Sequence, residues 1–138
     1  MTPRDDLLKS FDLASDDPFI ICWRDLDAGA ATEELERLDP WVVWLAGRYN
    51  LDHKVIPPCW SHHGALIEEL SALRTLWEAS YLEDAAPSSP LAFHRELDLA
   101  LRRLREWTSR LGCSRTEHRP EAHAKQPCEE PVSPSKMV

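Results

Sequence analysis

The sequence predicts an all-α protein, a small three-helix bundle in which the second and third helices form an antiparallel hairpin. Three segments carry apolar residues at steps of three and four, which is the spacing that lines one face of an α-helix. Only the run at residues 19–23 has the composition of a strand, and the rest of the chain offers it no partner strand. We therefore expect the helices alone to form the core.

The first helix is predicted over about residues 31–51. Pro40 interrupts the segment, and Asp39 is able to cap a helix that has proline at its first position. The segment is therefore either two helices, about 28–38 and 40–51, or one kinked helix. One face carries the apolar stripe Leu35, Leu38, Val42, Leu45 and Tyr49.

The second helix is predicted over about residues 61–82. Ser61 is a suitable N-cap, and the preceding Pro57 and Pro58 require an extended approach to the helix. Steps of four, three, four and four connect the residues of its stripe, which are Leu66, Leu70, Leu73, Trp77 and Tyr81.

The third helix is predicted over about residues 90–111. Ser89 is able to cap it, Pro90 suits its first position, and Gly112 ends it. Its stripe consists of Phe93, Leu97, Ala100, Leu104, Trp107 and Leu111. The connection at residues 83–89 is short, so the second and third helices should lie antiparallel.

The folded domain is expected within residues 18–119. Residues 1–17 are polar and acidic and are predicted to form a flexible arm, while residues 120–138 contain four prolines and are predicted to form a disordered tail. The run at residues 19–23 is expected to lie extended on the helices, anchored by the aromatic residues at its two ends.

The charge of the chain is uneven. The formal net charge is −8, and the acidic side chains concentrate in the first 90 residues, so binding to a nucleic-acid backbone over the whole surface is not expected. Basic residues gather in and after the third helix: Arg102, Arg103, Arg105, Arg110, Arg115 and Arg119. We expect them to form a solvated face with internal ion pairs, and the alternative is contact with an anion.

Four side chains form a candidate metal site. Cys59 and His63 lie at the start of the second helix, and Cys113 and His118 follow the end of the third. Each helix is about 30 Å long, so an antiparallel hairpin brings both pairs to the same end. Two thiolates and two imidazoles suit tetrahedral zinc, and four protein ligands indicate a structural ion. We expect the ligand atoms to converge within about 4 Å.

Other interpretations of these residues stay open. Cys59 and Cys113 are equally typical of packed thiols beside polar histidines, and they could also form a disulfide or a redox pair, which a reducing cytoplasm disfavours. His62 could replace His63 as the ligand. Two further cysteines have no partner by spacing: Cys22 and Cys128.

Two other features bear on function. His94 and Asp98 lie one turn apart, a spacing that allows a general base but equally a surface hydrogen bond, so no catalytic residue is predicted. Trp44 marks a contact surface if it is exposed, because tryptophan is enriched at interface hot spots. The alternative is that Trp23 or the N-terminal segment covers it.

Several motifs together resemble a family of small actinobacterial proteins of unknown function over about residues 19–119. These motifs are Trp41-Val42-Val43-Trp44-Leu45 with Arg48-Tyr49, Ile56-Pro57-Pro58-Cys59-Trp60 with His63, Glu68-Glu69-Leu70-Ser71-Ala72-Leu73 with Trp77, Phe93-His94 with Leu97-Asp98, and Gly112-Cys113 with His118. The resemblance favours His63 over His62 as a ligand. The chain departs from the family at Phe93, where tryptophan is more usual, and at Pro40. Genes of this type tend to occur near integrative or conjugative elements.

The expected function is that of a non-enzymatic accessory or adaptor protein of a mobile genetic element, acting by binding a protein partner. The sequence contains no apolar run long enough to cross a membrane and no readable secretory signal, so the expected location is the cytoplasm. Two alternatives belong to other classes. One is a nucleic-acid-associated regulator that uses the arginines of the third helix, and the other is a small zinc-dependent enzyme.

Overall fold

The computed structural model describes residues 18–121, and this part of the chain is all-helical, without β-strands. The three helices are α1 (Ala28–Arg48), α2 (Gly64–Ser80) and α3 (Ser89–Leu111). Short 3-10 turns at Trp23–Asp25 and Trp60–His62 precede α1 and α2. The predicted all-α class is confirmed. The predicted arm at 1–17 and all but the first two residues of the predicted tail at 120–138 lie outside the described residues.

Helix α1 is one helix that continues through Pro40, so of the two alternatives the single helix is the one that forms. It begins three residues before and ends three residues before the predicted range of about 31–51. Asp27 caps it by accepting a 2.8 Å hydrogen bond from the Ala30 amide. Pro40 and Glu36, whose carbonyl loses its amide partner to the proline, are both exposed residues. Buried residues on both sides of the proline hold the helix together: Leu38, Trp41, Val42 and Leu45.

Helix α2 begins three residues later than predicted, and Ser61 is not its cap. The Pro57 carbonyl accepts a hydrogen bond from the Trp60 amide, and the chain then makes the tight 3-10 turn. His63 follows in extended conformation, with φ −127°, and becomes the N-cap residue. The turn therefore places a histidine at the buried entrance of the helix. The predicted end at residue 82 is two residues too late.

Helix α3 begins one residue earlier than predicted, at Ser89, with Ser88 in the N-cap position and no side-chain capping bond. The predicted cap by Ser89 is therefore wrong, although Pro90 does occupy the first turn. Gly112 ends the helix as predicted, in the left-handed region at φ 78°, where a residue without a Cβ avoids strain.

Helices α2 and α3 are antiparallel, as predicted. The Tyr81 ring at the end of α2 meets the Phe93 ring near the start of α3, and Glu69 in α2 pairs with Arg103 in α3. The core between them and α1 contains most of the predicted stripe residues, with Trp77 and Trp107 packed at its margin. Its fully enclosed leucines are Leu45, Leu66, Leu70 and Leu104.

The N-terminal segment contacts the bundle through the Trp23 side chain and the Phe19 carbonyl, not through the Phe19 ring. The Phe19 ring is 69% exposed, so its predicted role as an anchor is wrong, whereas Trp23 packs against the core as predicted. The Phe19 carbonyl accepts a hydrogen bond from the Thr75 hydroxyl at 3.1 Å. Within the described residues, no helix is long and apolar enough to cross a membrane.

Candidate metal centre

Two chain reversals bring the candidate ligands to one end of the bundle. Cys59 lies just before the 3-10 turn, and that turn carries the chain to His63 at the start of α2. Cys113 directly follows Gly112, whose left-handed conformation turns the chain away from the axis of α3. Because α2 and α3 are antiparallel, the start of one helix and the end of the other meet here.

A tight turn then returns the chain to Cys113. The Ser114 amide donates to the Glu117 carbonyl at 2.9 Å, and the Glu117 amide donates to the Ser114 hydroxyl at 3.1 Å. His118 comes next, and the Arg119 amide donates to the Cys113 sulfur at 3.1 Å. The turn therefore explains why a Cys-x4-His spacing brings both side chains to one point.

The four candidate ligand atoms converge. The His63 Nε2 atom lies 3.6 Å from the Cys59 Sγ atom and 3.3 Å from the Cys113 Sγ atom. The Cys113 Sγ atom lies 3.7 Å from His118 Nδ1, and all four atoms lie within 4.8 Å of one another. Ligands bound tetrahedrally at 2.0–2.3 Å lie about 3.3–3.8 Å apart. The cluster could thus hold a metal ion after closing by about 1 Å at its widest pair.

His63 is the most enclosed member of the cluster. Its side chain has 0% exposure, and its Nδ1 atom lies 2.7 Å from the Glu121 Oε2 atom. The other ring nitrogen faces the two sulfurs. Glu121 is not among the site residues predicted from the sequence. The one available signal was a carboxylate three residues after a candidate histidine ligand.

The two sulfurs influence each other's charge. Burial, the hydrogen bond to the Cys113 thiol and the nearby charge of Cys113 together raise the pKa of the Cys59 thiol to about 11. Without a cation, two adjacent thiolates are therefore disfavoured at neutral pH. A divalent ion would offset this repulsion, because thiolates are the form that binds metal.

The structure also bears on the other interpretations of the cysteines and histidines. Cys59 and Cys113 are free thiols, each partly exposed at the surface rather than enclosed in the core. His62 is not part of the four-atom cluster, although its ring lies 5.4 Å from that of His118. Cys22 is exposed and outside the cluster, whereas Cys128 lies beyond the described residues.

The structure separates the His94 and Asp98 pair. The His94 Nε2 atom lies 3.1 Å from the Tyr49 hydroxyl, while Asp98 forms an ion pair with Arg102 at 3.0 Å. Each residue thus has another partner, and the geometry that a histidine–carboxylate base requires is not formed. A structural role in the surface of α3 accounts for both side chains.

Trp44 is 40% exposed on α1 and belongs to an aromatic cluster. Its ring centroid lies 5.4 Å from that of Trp77, and Tyr49 meets it edge-on at 6.2 Å. Val43 beside it is 63% exposed. Val43 and Trp44 are therefore two exposed apolar side chains at consecutive positions of α1.

The basic residues of α3 form internal ion pairs. Three of the six arginines that the sequence pattern singled out pair with carboxylates: Arg102 with Asp98, Arg103 with Glu69 and Arg110 with Glu106. These pairs are solvent-exposed and contribute little to stability. The expectation of internal ion pairs therefore holds for half of the six arginines.

Comparison of the chain with protein-family models, with curated proteins and with solved structures finds no match. The chemistry of the site is therefore inferred from its own residues and distances.

Proposed function

We propose that this protein is a non-enzymatic adaptor whose helical bundle is closed at one end by a structural zinc ion. The observation that carries the zinc part of this proposal is the convergence of two sulfurs and two imidazole nitrogens within 4.8 Å. These atoms come from two segments separated in sequence by the whole α2–α3 hairpin. Such a convergence of soft and borderline ligands is typical of a closed metal site.

Zinc is the ion that these donors favour. It accepts two thiolates and two imidazoles in a tetrahedron, without the oxygen ligands that magnesium or calcium require. Four protein ligands leave no open position for a water molecule, which argues against the zinc-enzyme alternative. A reducing cytoplasm, the proposed location, would keep Cys59 and Cys113 as thiols available to the metal.

The ion would tie the segment after α3 to the entrance of α2. Residues 113–121 carry no helix, and their local bonds are the turn between Ser114 and Glu117 and the contacts of Cys113. Because the complete ligand set exists only in the folded chain, the free energy of metal binding adds to the stability of this end.

Hydrogen exchange tests whether zinc holds the segment after α3 against the start of α2. With zinc bound, the amides of residues 113–119 should exchange slowly, and an excess of chelator should raise their exchange rates at least tenfold. The amide of Leu45, at a fully enclosed position in α1, provides an internal reference for global unfolding. Equal exchange of residues 113–119 with and without zinc would show that no metal clamps this segment.

The adaptor role is proposed to use the exposed apolar side chains beside the aromatic cluster. Val43 and Trp44 offer an exposed apolar surface on α1, and tryptophan is a frequent anchor of protein interfaces. A photo-crosslinking amino acid at position 43, in cells that naturally produce the protein, should yield one defined protein adduct that Trp44→Ala removes. Leu99→Ala is a matched control because Leu99 is similarly exposed, at 42%, and this substitution should leave the adduct in place. An adduct that survives Trp44→Ala would contradict this surface.

The accessory role in a mobile genetic element is proposed on the sequence resemblance alone. Nucleic acid is not the proposed partner, because the net charge is −8 and three arginines of α3 already pair with carboxylates. A mobility-shift assay at physiological salt should show no tight binding to duplex DNA. Nanomolar binding that weakens steeply with salt would instead support the nucleic-acid alternative.

A further inference from the structure

We infer that Glu121 is a positioning residue of the metal site, which orients His63 toward the ion. The inference rests on the proposed zinc site. The Glu121 Oε2 atom lies 2.7 Å from His63 Nδ1, and the His63 side chain has 0% exposure. On the opposite side of the ring, Nε2 lies 3.3 Å from the Cys113 sulfur and 3.6 Å from the Cys59 sulfur.

The chemistry of imidazole connects these two contacts. A neutral imidazole carries one N–H group, and only the other nitrogen has the lone pair that binds a metal. An ionised carboxylate is an acceptor only, so the proton of His63 must reside on Nδ1 to make the bond with Glu121. The lone pair then resides on Nε2, which faces both cysteines. Glu121 thereby selects the tautomer that is competent to bind the metal.

Burial makes this selection strong. In the other tautomer, the unprotonated Nδ1 atom would face the Glu121 carboxylate, so two acceptors would meet without a hydrogen. Because the ring has 0% exposure, no water could supply the missing donor. Partners of this kind orient metal-bound histidines, and their removal typically lowers metal affinity about 10–100-fold. Glu121 is 35% exposed, so water and metal can still reach the edge of the site.

The same short segment therefore supplies three parts of the centre. Cys113 and His118 provide ligand atoms, and Glu121, three residues farther along, provides the bond to the remaining histidine. Glu117 is an acidic residue of the same segment, and within the described residues its hydrogen bonds are made by its backbone in the turn with Ser114. It is thus the matched control.

The test measures the His63 tautomer and the zinc affinity in four full-length proteins: wild type, Glu121→Ala, Glu121→Gln and Glu117→Ala. In zinc-free protein, imidazole ¹⁵N chemical shifts should show the Nδ1–H tautomer for wild type and a loss of that preference in Glu121→Ala. Competition with a chelator should show zinc affinity about 10–100-fold lower in Glu121→Ala. Glu121→Gln keeps an acceptor oxygen and should recover part of both effects, while Glu117→Ala should match wild type.

The two proposals can fail separately. If Glu121→Ala keeps both the wild-type tautomer and the wild-type zinc affinity, the role of Glu121 is wrong although the zinc site stands. If wild type binds no zinc, the proposed function fails, and the tautomer of His63 in the zinc-free variants still decides whether Glu121 orients the ring. Circular dichroism shows whether Glu121→Ala folds. If it does not fold, the tautomer and zinc affinity of Glu121→Gln are compared with those of wild type, and wild-type values for both would contradict the role of Glu121.

Discussion

Truncation of Leu104 should be among the most costly substitutions in the bundle. Leu104 is 0% exposed in the middle of α3, opposite the buried face of α2. Leu104→Ala removes about three carbon groups, each contributing about 0.8 kcal/mol on transfer from water. The unfilled cavity adds a further cost, so the free energy of unfolding should fall by about 3–5 kcal/mol. This loss is a large share of the 5–15 kcal/mol typical of folded domains.

Leu91→Ala provides a matched control in the same helix. Leu91 is 74% exposed, so the same chemical change should alter the free energy of unfolding by less than about 0.5 kcal/mol. Urea unfolding followed by circular dichroism measures both values, at one fixed excess of zinc because a bound ion stabilises the folded state. Similar losses for the two variants, or a loss below about 0.5 kcal/mol for Leu104→Ala, would refute the assigned core.

Three further outcomes are expected. Gly112→Ala should lower the free energy of unfolding by about 1 kcal/mol, because φ is 78° and the new Cβ would lie 3.0 Å from the Arg119 Nη1 atom. Pro40→Ala should raise stability by about 1–3 kcal/mol in urea unfolding, because the Glu36 carbonyl regains an amide partner. Zinc affinity should fall at least tenfold per pH unit on acidification, because the pKa of Cys59, about 11, means that metal binding displaces its proton throughout this range. Competition titrations from pH 8 to 6 measure the slope, and an affinity that does not change with pH would contradict thiolate ligation.

The helices were predictable because they depend on local patterns. The convergence of the four candidate ligands was predictable because it follows from the antiparallel pairing of α2 and α3. Apolar stripes such as Leu66 to Leu73 exist because each helix must cover one face with its neighbours. The short connection between α2 and α3 leaves an antiparallel pair as the simple solution. Once the hairpin is antiparallel, Cys59 and Cys113 must lie at the same end.

The details that depend on tertiary contacts were not predictable from local patterns. Ser61 has the chemistry of a helix cap, but burial of Trp60 and the bond to the Pro57 carbonyl favour a 3-10 turn at that point. The apolar character of Phe19 does not reveal that its ring points away from the bundle. Glu121 meets His63 only because the chain reverses after Cys113, and neither residue carries a periodic signal of that contact.

The zinc content and the ligand shell of the purified protein test the central claim most directly. Wild type purified without added metal should carry about one equivalent of zinc, and X-ray absorption should show two sulfurs at about 2.3 Å and two nitrogens at about 2.0–2.1 Å. Cys59→Ser and Cys113→Ser should lose the metal to a similar degree, while Cys22→Ser, which changes an exposed thiol outside the cluster, should keep it. No zinc binding when zinc is supplied in excess, or a zinc shell without sulfur, would contradict the account.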